Sequence, residues 1–175
     1  AALIERYNRD LANDLGNLCQ RVLSMIARNC DGRIPSPQGR EADSDAALLA
    51  GARGVLDRVR EALDEQAFHI ALAAIWEVVG DANRYVDSEA PWVLRKSDPE
   101  RMQAVLYTLS EVIRRIATVT QPFMPESCGR ILDQLAVPAG ARDFEAFESG
   151  ALQPGTALPK PQPVFPRYVE GDEEG

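Results

Sequence analysis

The sequence predicts an all-α fold: a bundle of about five helices over residues 1–140, then a C-terminal extension over 141–175. Three observations carry that prediction. Apolar residues recur at three- and four-residue steps in five separate stretches, which is the period of a helix with one buried face. The prolines before residue 138 fall at the ends of those stretches rather than within them. No stretch convincingly shows the two-residue alternation of a strand.

The first helix is expected from Leu3 to about Asn29. Leu11, Leu15, Leu18, Val22, Met25 and Ile26 form one apolar stripe, and the other side carries Asp10, Asn13, Asp14, Asn17, Arg21, Ser24 and Arg28. Asn17 and Arg21 are four apart and so share a face. Gly16 costs roughly 1 kcal/mol in mid-helix and often marks a close approach by another backbone or a ligand. Asp31-Gly32 stops the helix, and Pro35 and Pro37 make the connection rigid.

Residues 38–43 read as a polar loop. Ser44 or Asp43 is the expected cap of a second helix, with Leu48, Ala52, Val55, Leu56, Val59 and Leu63 on its apolar face. A third helix is expected from about Gln66 to Ser88. Phe68, Leu72, Ile75, Trp76, Val79 and Val86 mark its buried side, so Trp76 is expected in the core. Pro91 disfavours helix at Ala90 and makes a corner. Ser97-Asp98-Pro99-Glu100 restarts the helix with a cap, a first-turn proline and an acid. The fourth helix carries the cleanest stripe: Met102, Val105, Leu106, Leu109, Val112, Ile113 and Ile116. Pro122 ends it, and Pro125 opens a fifth with Ile131, Leu132 and Leu135.

Six of the twelve prolines lie in 138–175, so the bundle pattern stops there. Phe144 and Phe147 suggest one short helical turn. Leu158 to Arg167 must be extended, because each proline pushes its predecessor out of helix. Phe165 and Tyr168 suggest a strap that docks, with Phe165 as its anchor, on these helices or on another part of a longer protein.

Composition narrows the function. Apolar residues make up 45% of the chain, enough for a globular core. The net charge of −8 argues against a broad electrostatic grip on nucleic acid. Yet four of the negative charges are Glu170, Asp172, Glu173 and Glu174, while residues 1–35 hold five arginines against four acids. Selective binding through a few contacts is therefore compatible with the total. Cys19, Cys30 and Cys128 form no Cys-x-x-Cys pair, which argues against a zinc site and for a reducing, cytoplasmic setting. His69 is the one histidine, and no Glu-x-x-His pairing accompanies it. The run Ile70 to Gly80 is broken by Glu77 and is too short to span a bilayer. No P-loop, no Gly-x-Gly-x-x-Gly and no nucleophile with a base partner occurs. The chain begins at Ala1 without a leader pattern and reads as a piece of a longer protein. It reads as a binding module without catalytic residues, cofactor or metal.

The stretch Asn83 to Lys96 holds the most distinctive residues, because Trp92 directly follows Pro91 at the corner. Such a tryptophan is either a plug over the core or an aromatic platform offered to a partner. Position alone favours the plug, since most tryptophans are largely buried.

Arg6-Tyr-Asn-Arg-Asp-Leu-Ala-Asn-Asp-Leu-Gly-Asn-Leu-Cys-Gln-Arg21 resembles the first helix of the C-terminal anticodon-binding domain of methionyl-tRNA synthetases, class I enzymes of bacterial type. Ala82 to Lys96 resembles that domain's second signature, and Pro163-Val-Phe-Pro-Arg167 is similar to the close of many bacterial members. The loop 36–47 and the last six residues match no pattern. The resemblance implies a helical domain that reads the CAU anticodon of initiator and elongator methionine tRNAs. It implies Asn17, Arg21 and Trp92 as the anticodon contacts, with Asn13, Asn83 and Pro91 in support. It also implies a parent ligase whose catalytic domain, with ATP and Mg, lies elsewhere; neither catalytic signature of the family occurs here. These roles are chemically apt. An amide donates and accepts, a guanidinium donates in a fork, and an aromatic face holds a splayed base. The resemblance moves Trp92 from plug to platform. Two other readings stay open: a helical scaffold for another protein, and the related domain of another class I synthetase.

Overall fold

The computed structural model describes residues 2–163. Among them are seven α-helices: α1 (Ala2–Asn29), α2 (Asp43–Asp64), α3 (Phe68–Glu89), α4 (Pro91–Ser97), α5 (Pro99–Thr120), α6 (Pro125–Gln134) and α7 (Phe144–Ser149). A single 3-10 turn spans Ala139–Ala141, and the described residues contain no strand. The five expected helices are α1, α2, α3, α5 and α6. The short turn expected at Phe144 and Phe147 is α7.

The first helix buries the face its spacing marked: Leu11, Leu15, Leu18, Val22 and Ile26 are fully inside, each worth roughly 1.5–3 kcal/mol. It ends as Cys30 N and Gly32 N both donate to Ile26 O, at 2.9 and 3.4 Å. Asp31 and Gly32 turn through positive φ, which glycine adopts without a Cβ penalty. The chain then pairs with the C-terminal extension. Ile34 N donates to Thr156 O at 2.9 Å, and Leu158 N to Gly32 O at 2.8 Å.

The structure corrects four expectations. Neither Ser44 nor Asp43 caps α2. Ala42 holds the cap position, and Asp45 folds back to accept from Ala42 N at 3.1 Å. Asp45 is fixed there by Arg101 and Tyr85, so its carboxylate serves the helix start as well. Leu63 is only half-buried, in the last turn of α2. Phe68 and Trp76 are exposed rather than core residues. Ala71, Leu72, Ala74, Ile75, Val78, Val79, Ala82 and Val86 already fill the inner arc of α3, and the two large rings overhang its edge. Finally, the Pro91 corner is itself helical. Ala90 takes the left-handed conformation (φ 46), and Pro91 opens α4 at its first position, where its missing N–H costs nothing.

Helix α5 is the axis of the bundle and touches α1, α2, α3, α4, α6 and α7. Every residue from Thr108 to Thr120 is buried, so its clean apolar stripe understated its burial. Asp98 caps it, accepting from Arg101 N at 3.3 Å. Its buried charges hold the extension. Glu111 accepts from Leu152 N at 2.6 Å, and Arg114 donates to Gly150 O at 2.7 Å. Phe147 and Leu152 thereby join the core. The strap follows the bundle as far as it is described: Leu158 packs on the core, and Gln162 exchanges two hydrogen bonds with Gln134, at 2.9 and 3.0 Å. The anchor Phe165, with Val164, Pro166, Arg167, Tyr168 and the acidic tip, lies outside the described residues.

Candidate nucleic-acid interface

Two helices distant in sequence build the site. Asp14 of α1 meets Trp76 and Asn83 of α3, and Arg21 meets Asp87. Partners advance together, so α1 and α3 run in the same direction. Their polar faces meet in a shallow, open concavity of about 530 Å³, with Asn17, Gln20 and Arg21 from one helix and Asn83, Arg84 and Asp87 from the other. Asp14 and Gly80 complete its lining.

At one end stands the corner. Pro91 is buried and starts α4, and this lifts Trp92 to the surface with 46% of its area exposed. The Arg21 guanidinium lies over the Trp92 ring, 5.7 Å from its centroid, within cation–π range. The same guanidinium donates to Asp87 Oδ1 at 2.9 Å. One arginine thus bridges an aromatic face and a carboxylate, both open to solvent. Asn83 donates through Nδ2 to Val79 O at 3.2 Å and to Asp14 O at 3.5 Å, which ties α3 to α1 beneath the concavity.

Behind the corner lies a second polar cluster. Asp45 is buried and accepts from Tyr85 Oη at 2.6 Å and from both terminal guanidinium nitrogens of Arg101, at 2.6 and 2.8 Å. Arg101 also reaches Glu89 at 3.1 Å and donates to Arg40 O at 2.8 Å. Arg40 in turn pairs with Asp98. The loop 36–42 is thereby held to the start of α5, while Arg101 and Asp45 tie that start to the end of α3. Burial alone would raise the Asp45 carboxyl, but the Arg101 fork, the Tyr85 hydroxyl and the Ala42 N–H outweigh it and hold it below the usual carboxylate range.

Of the six residues marked in the sequence, five converge. Asn17, Arg21 and Asn83 line the concavity, Trp92 stands at its end, and Pro91 sets the angle at which Trp92 emerges. Asn13 is exposed one turn before Asn17, outside the lining. Sequence reasoning missed Asp87, Gln20 and Arg84, and it missed the bond from Trp76 Nε1 to Asp14 Oδ2 at 2.6 Å. Asp87 was in plain view, five residues before Trp92, but nothing in its spacing pointed to α1.

Burial pushes the Cys128 thiol up to about 12 and raises that of Cys19 too, so neither is a nucleophile at neutral pH. Among the described residues no group of three or more His, Cys, Asp or Glu could hold a metal ion. No helix among them is long and apolar enough to cross a membrane.

Comparison with known proteins gives a consistent picture. The model of the anticodon binding domain of methionyl tRNA ligase matches residues 34–175. A methionine–tRNA ligase of Brucella suis is 54% identical over 173 residues, covering 99% of this chain and 33% of that protein. One from Mycobacterium tuberculosis is 55% identical over 171 residues, covering 95% and 33%. The crystal structure of the free M. tuberculosis methionyl-tRNA synthetase superposes with a TM-score of 0.88 at 54% identity, over 95% of this chain and 34% of that one. Its complex with methionyl-adenylate also gives 0.88, over 95% and 33%. The chain spans about a third of the length of the curated relatives it matches.

Proposed function

The chain belongs to the family of methionyl-tRNA ligase anticodon-binding domains, and from that premise we propose that it selects methionine tRNAs, initiator and elongator alike, by reading their CAU anticodon. Recognition is assigned to the bundle, residues 1–140. The extension, 141–175, is assigned to bracing that bundle and meeting the rest of a parent ligase. That parent would join methionine to tRNA in the cytoplasm, with ATP and Mg held in its catalytic part.

The observation that carries this reading is the Arg21 guanidinium over the half-exposed Trp92 ring, at the end of a concavity that also holds Asn17. Single-stranded loop bases are read by stacking and by hydrogen bonds to their edges. Trp92 offers the stack. Asn17, one helical turn from Arg21, offers a donor and an acceptor. Arg21 offers several N–H groups in a plane, and one of them is engaged by Asp87. The concavity mixes acids with arginines, so few phosphates are neutralised and the salt slope of binding is expected to be shallow.

Filter binding with tRNA of each identity tests the proposal. Methionine tRNAs should be retained above all others, and a scrambled anticodon should be released. Retention of valine or leucine tRNAs instead would assign the chain to another specificity. Retention of none would favour a protein-binding scaffold. The isolated chain should not catalyse ATP–pyrophosphate exchange with methionine, since it offers no recognisable phosphate-binding loop.

A further inference from the structure

The concavity continues past the residues assigned to the triplet. On α3, Trp76, Gly80, Asn83 and Asp87 recur at steps of four, three and four, so they share one face. Trp92 stands beyond the Asp87 end of that face, and Trp76 lies at the other. The indole of Trp76 is 38% exposed, and its Nε1 is held by Asp14, which itself lines the concavity. A tryptophan that overhangs its helix, with its N–H pinned by an acid, presents a large ring in a fixed attitude.

Gly80 lies between the two tryptophans. A Cβ there would meet only the Arg84 guanidinium, at 3.4 Å, an ordinary contact with the end of a flexible side chain. Packing therefore does not demand glycine. Its lack of a side chain keeps the floor low between the two rings; Arg84 beside it is paired with the exposed Asp81, at a position where a passing phosphate can compete for the guanidinium.

Length decides what could occupy the far end. Eleven positions separate Trp76 from Asp87, about 16 Å at a rise of about 1.5 Å per residue. Three stacked nucleotides span only about 7 Å, from first to last, at about 3.4 Å per step. We infer that Trp76 is a second stacking platform, one that takes an RNA-loop nucleotide flanking the triplet read at the Trp92 end. This inference rests on the anticodon-binding reading above and adds a subsite to it.

The test places a fluorescent base analogue at each loop position outside the triplet of a CAU anticodon stem-loop, one at a time, and titrates it with the full 175-residue chain. Stacking on an indole quenches the probe. One flanking position should be quenched by the unsubstituted chain and by Trp92→Ala at saturation, and should lose its quenching in Trp76→Ala. Trp76→Ala should also weaken binding roughly tenfold, the equivalent of one stacked base. Trp76→Phe, which keeps a ring but not the bond to Asp14, should retain most of the affinity; this separates stacking from support of the fold. If no flanking position reports Trp76, or Trp76→Ala binds as well as the unsubstituted chain while Trp92→Ala still binds weakly, the second platform is overturned and the anticodon reading survives. If the unsubstituted chain does not prefer the CAU loop at all, that reading fails and the second platform fails with it.

Discussion

Two arginine–aspartate pairs stand on opposite sides of the end of α3. Arg21–Asp87 faces the concavity, with side chains 38% and 68% exposed. Arg101–Asp45 lies behind it, with side chains 12% and 2% exposed. Tyr85 and Asp87, two residues apart, belong one to each cluster. The ionic chemistry is the same, and burial divides its use. The exposed pair is worth little to stability, so its arginine is available to a ligand at small cost. The buried pair has given up its hydration and is held by its hydrogen bonds, so it acts as a fixture for the α3–α4 corner from which Trp92 emerges.

The largest effect is expected at the buried pair. Asp45→Ala would leave the Arg101 guanidinium and the Tyr85 hydroxyl without their shared partner, and should cost roughly 3–5 kcal/mol in urea unfolding. Replacing Asp45 and Arg101 together with apolar residues of similar volume should cost less than that single change. A single-variant loss under about 1 kcal/mol would remove the distinction between the two pairs.

Next comes the exposed side. Trp92→Ala should weaken CAU stem-loop binding by roughly 1–3 kcal/mol, while the unfolding midpoint barely moves because the ring is half-exposed. Arg21→Lys should also weaken binding, since a point charge cannot reproduce a planar fork. A Trp92→Ala chain that binds as before and still rejects a scrambled anticodon would dissociate the corner from recognition.

Acid should then separate the pairs. A carboxyl held below its unfolded value lends stability that is complete above the unfolded pKa and drains as pH falls towards the folded one. Asp45 is such a group. Urea midpoints should therefore drop from about pH 4 downward, and the acid limb should flatten in Asp45→Asn. An unchanged limb in that variant would assign the acid sensitivity elsewhere.

The smallest effect is expected for Asp87→Asn, which should shift stability by less than about 1 kcal/mol, read from the same urea curves. A larger loss would mean that the exposed pair is also a fixture.

Much of this was legible in the residues. The stripes of α1 and α5, the stop at Asp31-Gly32, the Asp98 cap and the proline boundaries are local, because helix period and capping act within a few positions. The family signatures carried Asn17, Arg21 and Trp92 for the same reason, as short motifs. That Arg21 meets Trp92 across 71 residues followed only from the shared role the family signatures imply for them. The parallel packing of α1 on α3 that achieves it was not legible, because no local rule reports which faces of two helices will meet. Burial of polar residues was hidden too. Nothing in the spacing marked Asp45 as buried, and Trp76 was expected in the core, yet the structure buries the one and exposes the other. Periodicity says that a face is apolar or polar, but not how wide the neighbouring helix makes the covered arc. That width depends on all the helices at once, which is why a buried aspartate and an exposed tryptophan could be found only in the packed bundle.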